Sequence, residues 1–105
     1  IAAVGATEQE LSEAGTAFGV GLTRLSDVAY GWALEDTTGF AKVLVDPGTG
    51  RLLGAHVLGP QASTLIQPLV LAMTLDLDAR TLAEKPYWIH PALTEVVQQA
   101  LEDAL

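Results

Sequence analysis

The chain contains 105 residues, carries a formal net charge of −8 and has no cysteine. Its five lysine and arginine residues are scattered singly, so it offers no basic patch for the phosphates of a nucleic acid or of an anionic membrane surface. The lack of cysteine excludes disulfide bonds, thiolate metal sites and a cysteine nucleophile within this chain.

A single domain over residues 1–105 is the organisation expected at this length. Hydrophobic residues make up 50% of the chain and charged residues 17%, against about 25% charged in a typical domain. Two explanations of this apolar composition stay equally open: a surface buried against a partner, or a high content of alanine. The sequence opens on Ile1 rather than Met and has no signal segment, so we expect a piece of a longer, cytoplasmic protein.

The opening residues predict a strand and then a short helix. Residues 1–4 are apolar, as in a strand. Thr7 followed three residues later by Glu10 fits a capping box, and Gly15 is a suitable helix stop.

The next residues are less regular. Residues 18–25 alternate imperfectly and predict a strand with one glycine-lined side. Residues 26–36 are compatible with a capped helical turn or with a strand, and we favour an extended segment from about Ala29.

A β-hairpin is the clearest prediction in the chain. Residues 40–45 and 51–58 both have strand character, and residues 46–50 (DPGTG) between them form a tight-turn signal. Gly54 within the second strand is expected to permit close packing beneath it.

The second half of the chain changes to helical spacing. Apolar residues recur every three to four positions between 61 and 75, and Pro68 is expected to bend this helix. Asp78 can cap another helical turn over residues 79–83. A last amphipathic helix is expected to begin at Pro91 and run to the C-terminus. Because strands come early and helices late, the sequence predicts an α+β fold in which an antiparallel sheet is covered by helices.

The stretch 87–95 combines an imidazole, a proline and a carboxylate. Pro91 can support a cis peptide bond after His90. If the imidazole folds back over the first turn of the helix, Glu95 can accept its Nδ1–H and leave Nε2 free for proton transfer. His90 is therefore the candidate catalytic acid–base residue and Glu95 its orienting partner, while the nucleophile of such a triad is missing from this chain.

The remaining polar and aromatic residues favour structural roles. His56 lies in the middle of a predicted strand, and two histidines without an acidic cluster do not make a metal site. The glycines at 19–21 lack the third glycine and the following helix of a phosphate-binding loop. Packing or interface roles are expected for Trp32, Tyr87 and Trp88, and cap or surface roles for Asp46, Asp76 and Asp78.

Four stretches together resemble the C-terminal dimerisation domain of the pyridine nucleotide–disulfide oxidoreductases, the flavoenzyme family of glutathione reductase and dihydrolipoamide dehydrogenase. They are residues 4–8 (VGATE), 39–43 (GFAKV), 53–59 (LGAHVLG) and 90–95 (HPALTE). Their order and spacing agree with the family pattern over essentially the whole chain.

The resemblance implies a homodimer, joined mostly through this domain, of a longer flavoenzyme whose FAD- and NADPH-binding domains lie outside this chain. It implies that His90, supported by Glu95, reaches the partner subunit's active site and protonates the thiolate that leaves a low-molecular-weight disulfide. The backbone of His90 and Pro91 would lie against the partner subunit's FAD. The chain by itself is expected to be inactive, because it has no redox cysteines and no dinucleotide-binding glycines.

Two stretches, 59–68 and 87–93, resemble most closely an NADPH-dependent branch of the family that reduces a low-molecular-weight disulfide. The alternatives are the dihydrolipoamide dehydrogenase or mercuric reductase branch, and a module that kept the fold but lost the chemistry. The pair of His90 and Glu95 argues against the last alternative.

Overall fold

A computed structural model describes all residues from 1 to 105. Four strands form one antiparallel sheet in the order β1-β4-β3-β2, and helices cover it, which confirms the predicted α+β fold. No helix is both long enough and apolar enough to cross a membrane. The elements are β1 (Ala2–Gly5), α1 (Glu8–Glu13), β2 (Gly19–Arg24), a 3₁₀ turn (Leu25–Asp27), α2 (Ala29–Ala33), β3 (Phe40–Val45), β4 (Leu52–Leu58), α3 (Ala62–Leu65), α4 (Gln67–Thr74), α5 (Ala79–Glu84) and α6 (Glu95–Asp103).

The predicted hairpin is confirmed in β3 and β4. The Asp46 carboxylate accepts hydrogen bonds from the backbone N–H groups of Gly48 at 2.7 Å and Thr49 at 3.1 Å, which closes the turn. Gly50 completes it with a φ of +77°, a conformation that glycine adopts without steric cost. Local turn chemistry therefore fixes the register of the two central strands.

The sheet buries the face that carries Ala41, Val43, Ala55 and Val57. These side chains belong to one core cluster of 21 residues that also includes the apolar side of α6. In β2 the buried side is the glycine-lined one, because Gly21 pairs with Val43. A Cβ at this position would overlap the Ala100 carbonyl oxygen, so the glycine lets α6 lie directly on the strand.

The helix ends follow the expected capping chemistry. Thr7 caps α1 by accepting the N–H of Glu10 at 3.1 Å, and Gly15 follows the helix at a φ of +71°. Asp78 caps α5 by accepting the N–H of Thr81 at 2.7 Å. The same hydrogen bond, which favours the carboxylate form, holds the pKa of Asp78 below its ordinary value of 3.8.

The extended segment expected from Ala29 is wrong, because residues 25–33 form a 3₁₀ turn and then α2. Gly31 faces inward, and a Cβ there would overlap the Leu25 carbonyl oxygen. The alternating residues Tyr30, Trp32 and Leu34, which had suggested a strand, are all exposed, the first two on this short helix and Leu34 directly after it. Their apolar character therefore does not report a buried sheet face.

Pro68 has a larger effect than the predicted bend, since it divides the expected helix into α3 and α4. It lies in the first turn of α4, where a missing N–H costs no helical hydrogen bond. The carbonyl of Ile66 accepts from Leu69 and Val70, each at 3.0 Å, and so begins the second helix.

The contact between Gly21 and α6 generates a stability prediction. Gly21→Ala should lower the free energy of unfolding by about 1–3 kcal/mol, because the new methyl group must push α6 away from β2. Gly19→Ala in the same strand is the matched control, since a Cβ there would stand 3.6 Å from its nearest neighbour. Denaturant unfolding measures both, and equal stabilities of the two variants would contradict the close packing.

Candidate functional site

The candidate histidine lies on an irregular segment between α5 and α6, residues 86–91, which we call the histidine segment. Tyr87 and Ile89 in this segment are exposed, while Trp88 between them packs against the core. The indole Nε1–H of Trp88 donates to the Leu82 carbonyl oxygen at 3.2 Å. Trp88 therefore attaches the middle of this segment to the body of the domain.

The predicted pairing of His90 with Glu95 is present in the structure. His90 Nδ1 lies 2.7 Å from Glu95 Oε1, and the His90 side chain is 66% exposed while that of Glu95 is 15% exposed. The peptide bond between His90 and Pro91 is cis. Because Nδ1 meets the carboxylate, Nε2 is the ring nitrogen left available to a reactant.

Glu95 is held from two directions. Its Oε1 atom also accepts the backbone N–H of Ala92 at 3.1 Å, so one oxygen joins the turn to the imidazole. Glu95 is the first residue of α6, where the helix dipole favours a negative charge. The next two residues, Val96 and Val97, are fully buried and fix the start of the helix on the core.

The expectation that Pro91 opens the last helix is wrong, since α6 begins four residues later at Glu95. Residues 91–94 form a turn in which the Glu95 and Val96 N–H groups bond to carbonyls three residues earlier, at 3.3 and 3.0 Å. Glu95 therefore meets the imidazole from the first helical position and not from one turn inside the helix.

The second histidine has structural contacts only. His56 Nε2 lies 3.1 Å from the backbone oxygen of Ala6, and His56 pairs with Lys42 across the sheet. Lys42 in turn forms a 2.7 Å ion pair with Glu8 of α1. No group of three or more histidine, aspartate or glutamate side chains is arranged to hold a metal ion. The contacts of His56 with Ala6 and of Lys42 with Glu8 attach α1 to the face of the sheet that α6 does not cover.

The other assigned residues divide between caps and surface. Asp46 and Asp78 cap a turn and a helix as expected, and Asp76 forms an exposed 3.5 Å ion pair with Arg51. Trp32 is 73% exposed on α2 and contributes little packing.

Sequence reasoning missed one residue that holds the site, Trp88, whose hydrogen bond to Leu82 it did not foresee. A signal for it was available in the sequence. Pro86 stands four residues after Leu82 and cannot supply the helical N–H that this carbonyl would otherwise receive.

Comparison with known proteins places these features in a family. The family model described as "Pyridine nucleotide-disulphide oxidoreductase, dimerisation domain" matches residues 1–101. Mycothione reductase of Mycobacterium tuberculosis (strain ATCC 25618 / H37Rv) is 54% identical over 101 residues, which cover 96% of this chain and 22% of that protein. Dihydrolipoamide dehydrogenase of Chaetomium thermophilum is 37% identical over 100 residues, with coverages of 95% and 20%.

Solved structures agree with the sequence relatives. Crystalline LpdA from Mycobacterium tuberculosis superposes with a TM-score of 0.88 at 26% identity, over 95% of this chain and 22% of that one. The HOCl-induced flavoprotein disulfide reductase RclA from Escherichia coli gives a TM-score of 0.81 at 26% identity, with coverages of 97% and 22%. The chain thus spans about a fifth of the length of the relatives that it matches.

Proposed function

The chain belongs to the dimerisation-domain family of the pyridine nucleotide–disulphide oxidoreductases, and we propose that it gives a disulfide reductase both a subunit interface and an acid–base histidine. The observation that carries this proposal is the 2.7 Å contact between His90 Nδ1 and Glu95 Oε1, combined with the exposure of the imidazole. A ring held on one side and open on the other is built to act on a molecule outside this chain.

The chemistry assigned to His90 is protonation of a leaving thiolate. A thiolate supplied by another part of the enzyme attacks one sulfur of a disulfide, so that a mixed disulfide forms and the second sulfur departs with the electron pair of the broken bond. The departing thiolate takes the proton from His90 Nε2. An ordinary thiol has a pKa of about 8.5, so this proton makes the sulfur a better leaving group. Glu95 accepts the Nδ1–H throughout and keeps the ring oriented.

The cofactors implied by the family are FAD and a pyridine nucleotide, which when bound supply the electrons for disulfide reduction. The glycine pair of β2 does not form a phosphate-binding loop for either one. Gly19 and Gly21 lie inside β2 and not in a turn between a strand and a helix, so they cannot cradle a phosphate. We therefore assign both cofactors, with NADPH as the nucleotide, to other domains of the longer protein, while His90 and Pro91 border the flavin of a partner subunit.

The substrate branch that we propose is that of mycothione reductase. Its support is the 54% identity to that enzyme over 96% of the chain, against 37% to a dihydrolipoamide dehydrogenase. A dihydrolipoamide dehydrogenase is the second candidate, since the identity to that branch covers 95% of the chain.

A homodimer requires a surface on which two acidic chains can meet, and an apolar groove supplies one. No charged residue occurs from 59 to 75, so α3 and α4 approach a second copy without charge repulsion. Leu71 on α4 and Leu75 directly after the helix lie four residues apart and are exposed. The groove has a volume of about 270 Å³ and is lined by Pro68, Leu71, Ala72, Leu77, Leu82, Pro86, Tyr87 and Trp88. Because it includes the histidine segment, the same contact would carry His90 to the second subunit.

In the full-length reductase, His90→Ala should slow disulfide turnover by about 10²–10⁴-fold, because the leaving thiolate loses its proton donor. Reduction of the enzyme by NADPH should be nearly unchanged, since His90 has no part in that half-reaction. Stopped-flow measurement separates the two half-reactions, with His56→Ala as a control histidine outside the site. Equal losses in both half-reactions would rule out the assigned role.

The two contacts of Glu95 Oε1 distinguish orientation from direct participation. Glu95→Gln keeps an oxygen that can accept from His90 and Ala92, so it should cost less turnover than His90→Ala. Glu95→Ala removes both hydrogen bonds and should cost more than Glu95→Gln. Steady-state kcat at saturating disulfide measures the series. A Glu95→Gln loss as large as that of His90→Ala would mean that the carboxylate takes a direct part.

The apolar groove predicts where the dimer can be broken. Leu71→Glu should shift the full-length protein toward monomer and reduce disulfide turnover with it, because two buried carboxylates would face each other across the contact. Leu34→Glu is the matched control, since Leu34 is exposed to a similar degree, 49% against 54%, but lies directly after α2, outside the groove. Sedimentation equilibrium measures both variants, and an unaffected dimer in Leu71→Glu would place the interface elsewhere.

A further inference from the structure

The histidine segment has few attachments to the rest of the domain. From Pro86 to Ile89 the only hydrogen bond to another part of the chain is the one from the Trp88 indole to Leu82. On the other side of His90, the next attachments are the two hydrogen bonds of Glu95. The backbone position of His90 is therefore set between Trp88, two residues before it, and the start of α6.

The partner of the indole is a carbonyl that has lost its helical donor. In an uninterrupted helix the Leu82 carbonyl would accept the N–H of residue 86, but residue 86 is a proline and has none. No backbone N–H donates to this oxygen, and Leu82 is a buried residue. Trp88 supplies the missing donor from the side, at 3.2 Å. A carbonyl without a partner in a buried residue is costly, so this hydrogen bond is favoured.

The indole ring is also restrained by packing. It packs against the core cluster and lines the apolar groove beside Leu77 and Pro86. Packing and one directional hydrogen bond restrain the ring, and the ring in turn restrains the backbone of residue 88. Tyr87 and Ile89, its two neighbours, are exposed and provide no such restraint.

We propose that Trp88 is a positioning residue for His90. The hydrogen bond between the Trp88 indole and the Leu82 carbonyl determines where Nε2 of His90 lies relative to the reacting sulfur. The proposal rests on the acid–base role proposed above for His90. General acid catalysis depends on the donor lying within hydrogen-bond reach of the proton acceptor, and small displacements reduce it steeply. A positioning residue acts through His90, so the loss of turnover that this role predicts cannot exceed that of removing His90.

The competing explanation is that Trp88 merely satisfies the Leu82 carbonyl and so stabilises the end of α5. The sequence offers a way to separate the two roles. Pro86→Ala returns an N–H to residue 86, which can bond to Leu82 whether or not the indole is present. In a chain that carries both Trp88→Phe and Pro86→Ala, the Leu82 carbonyl accepts the N–H of residue 86. The histidine segment is then no longer attached to Leu82 through the indole of residue 88.

The test uses the full-length reductase, with Trp88→Phe as the central variant because phenylalanine keeps an aromatic ring but has no N–H donor. Disulfide turnover should fall by about 10- to 100-fold, while reduction by NADPH stays unchanged. Trp32→Phe, the same substitution at the exposed tryptophan of α2, should leave turnover unchanged. The double variant with Pro86→Ala should regain thermal stability but not turnover.

A double-mutant cycle with His90→Ala completes the test. In the His90→Ala background, Trp88→Phe should cause no further loss, since it acts through a ring that is no longer there. An equal further loss in that background, or full recovery of turnover by Pro86→Ala, would overturn the positioning role. If His90→Ala itself leaves turnover unchanged, the acid–base proposal fails. A normal loss with His90→Ala and none with Trp88→Phe overturns only the role of Trp88.

Discussion

The carboxylate of Glu95 connects the packed part of this domain to the imidazole of its candidate site. One oxygen accepts the backbone N–H of Ala92 and faces Nδ1 of His90. The carboxylate can be this well placed because α6 is fixed on the sheet by fully buried residues, including Val96 and Leu101. Close approach of α6 to β2 depends in turn on Gly21, whose missing side chain leaves room for the helix backbone. The orientation of an exposed imidazole thus has its origin in the core of the sheet.

The distribution of apolar residues explains a composition that was ambiguous in the sequence. The buried core contains several alanines, among them Ala41, Ala55 and Ala100, so alanine does account for part of the hydrophobic fraction. Large hydrophobic side chains such as Leu71, Leu75 and Tyr87 are nevertheless exposed. A monomer in water rarely exposes a contiguous patch of such residues without a function. The alanine explanation therefore applies to the core, while the exposed leucines and Tyr87 are residues that the proposed dimer would cover.

Prediction from sequence succeeded where local chemistry decides the structure. The hairpin depends on Asp46 and Gly50, the cap of α5 on Asp78, and each acts within a few residues. Prediction failed for α2, because its exposed apolar residues alternate as they do in a strand. The close approach of Gly31 to Leu25 has no signal in the sequence. Prediction also failed for the start of α6, because Pro91, which suits the first turn of a helix, is followed by a tighter turn held by Glu95.

The structure also explains why the imidazole has a carboxylate beside it at all. His90 is exposed in this chain, but in the proposed dimer it would lie in a contact formed by uncharged residues. Burying a lone imidazolium in such a contact would cost several kcal/mol, because the charge would lose its water without gaining a partner. Glu95, 15% exposed and already committed to the turn, provides that partner before the subunits meet. In the proposed dimer, the carboxylate that orients the ring would therefore also allow it to enter an apolar interface while it carries its proton.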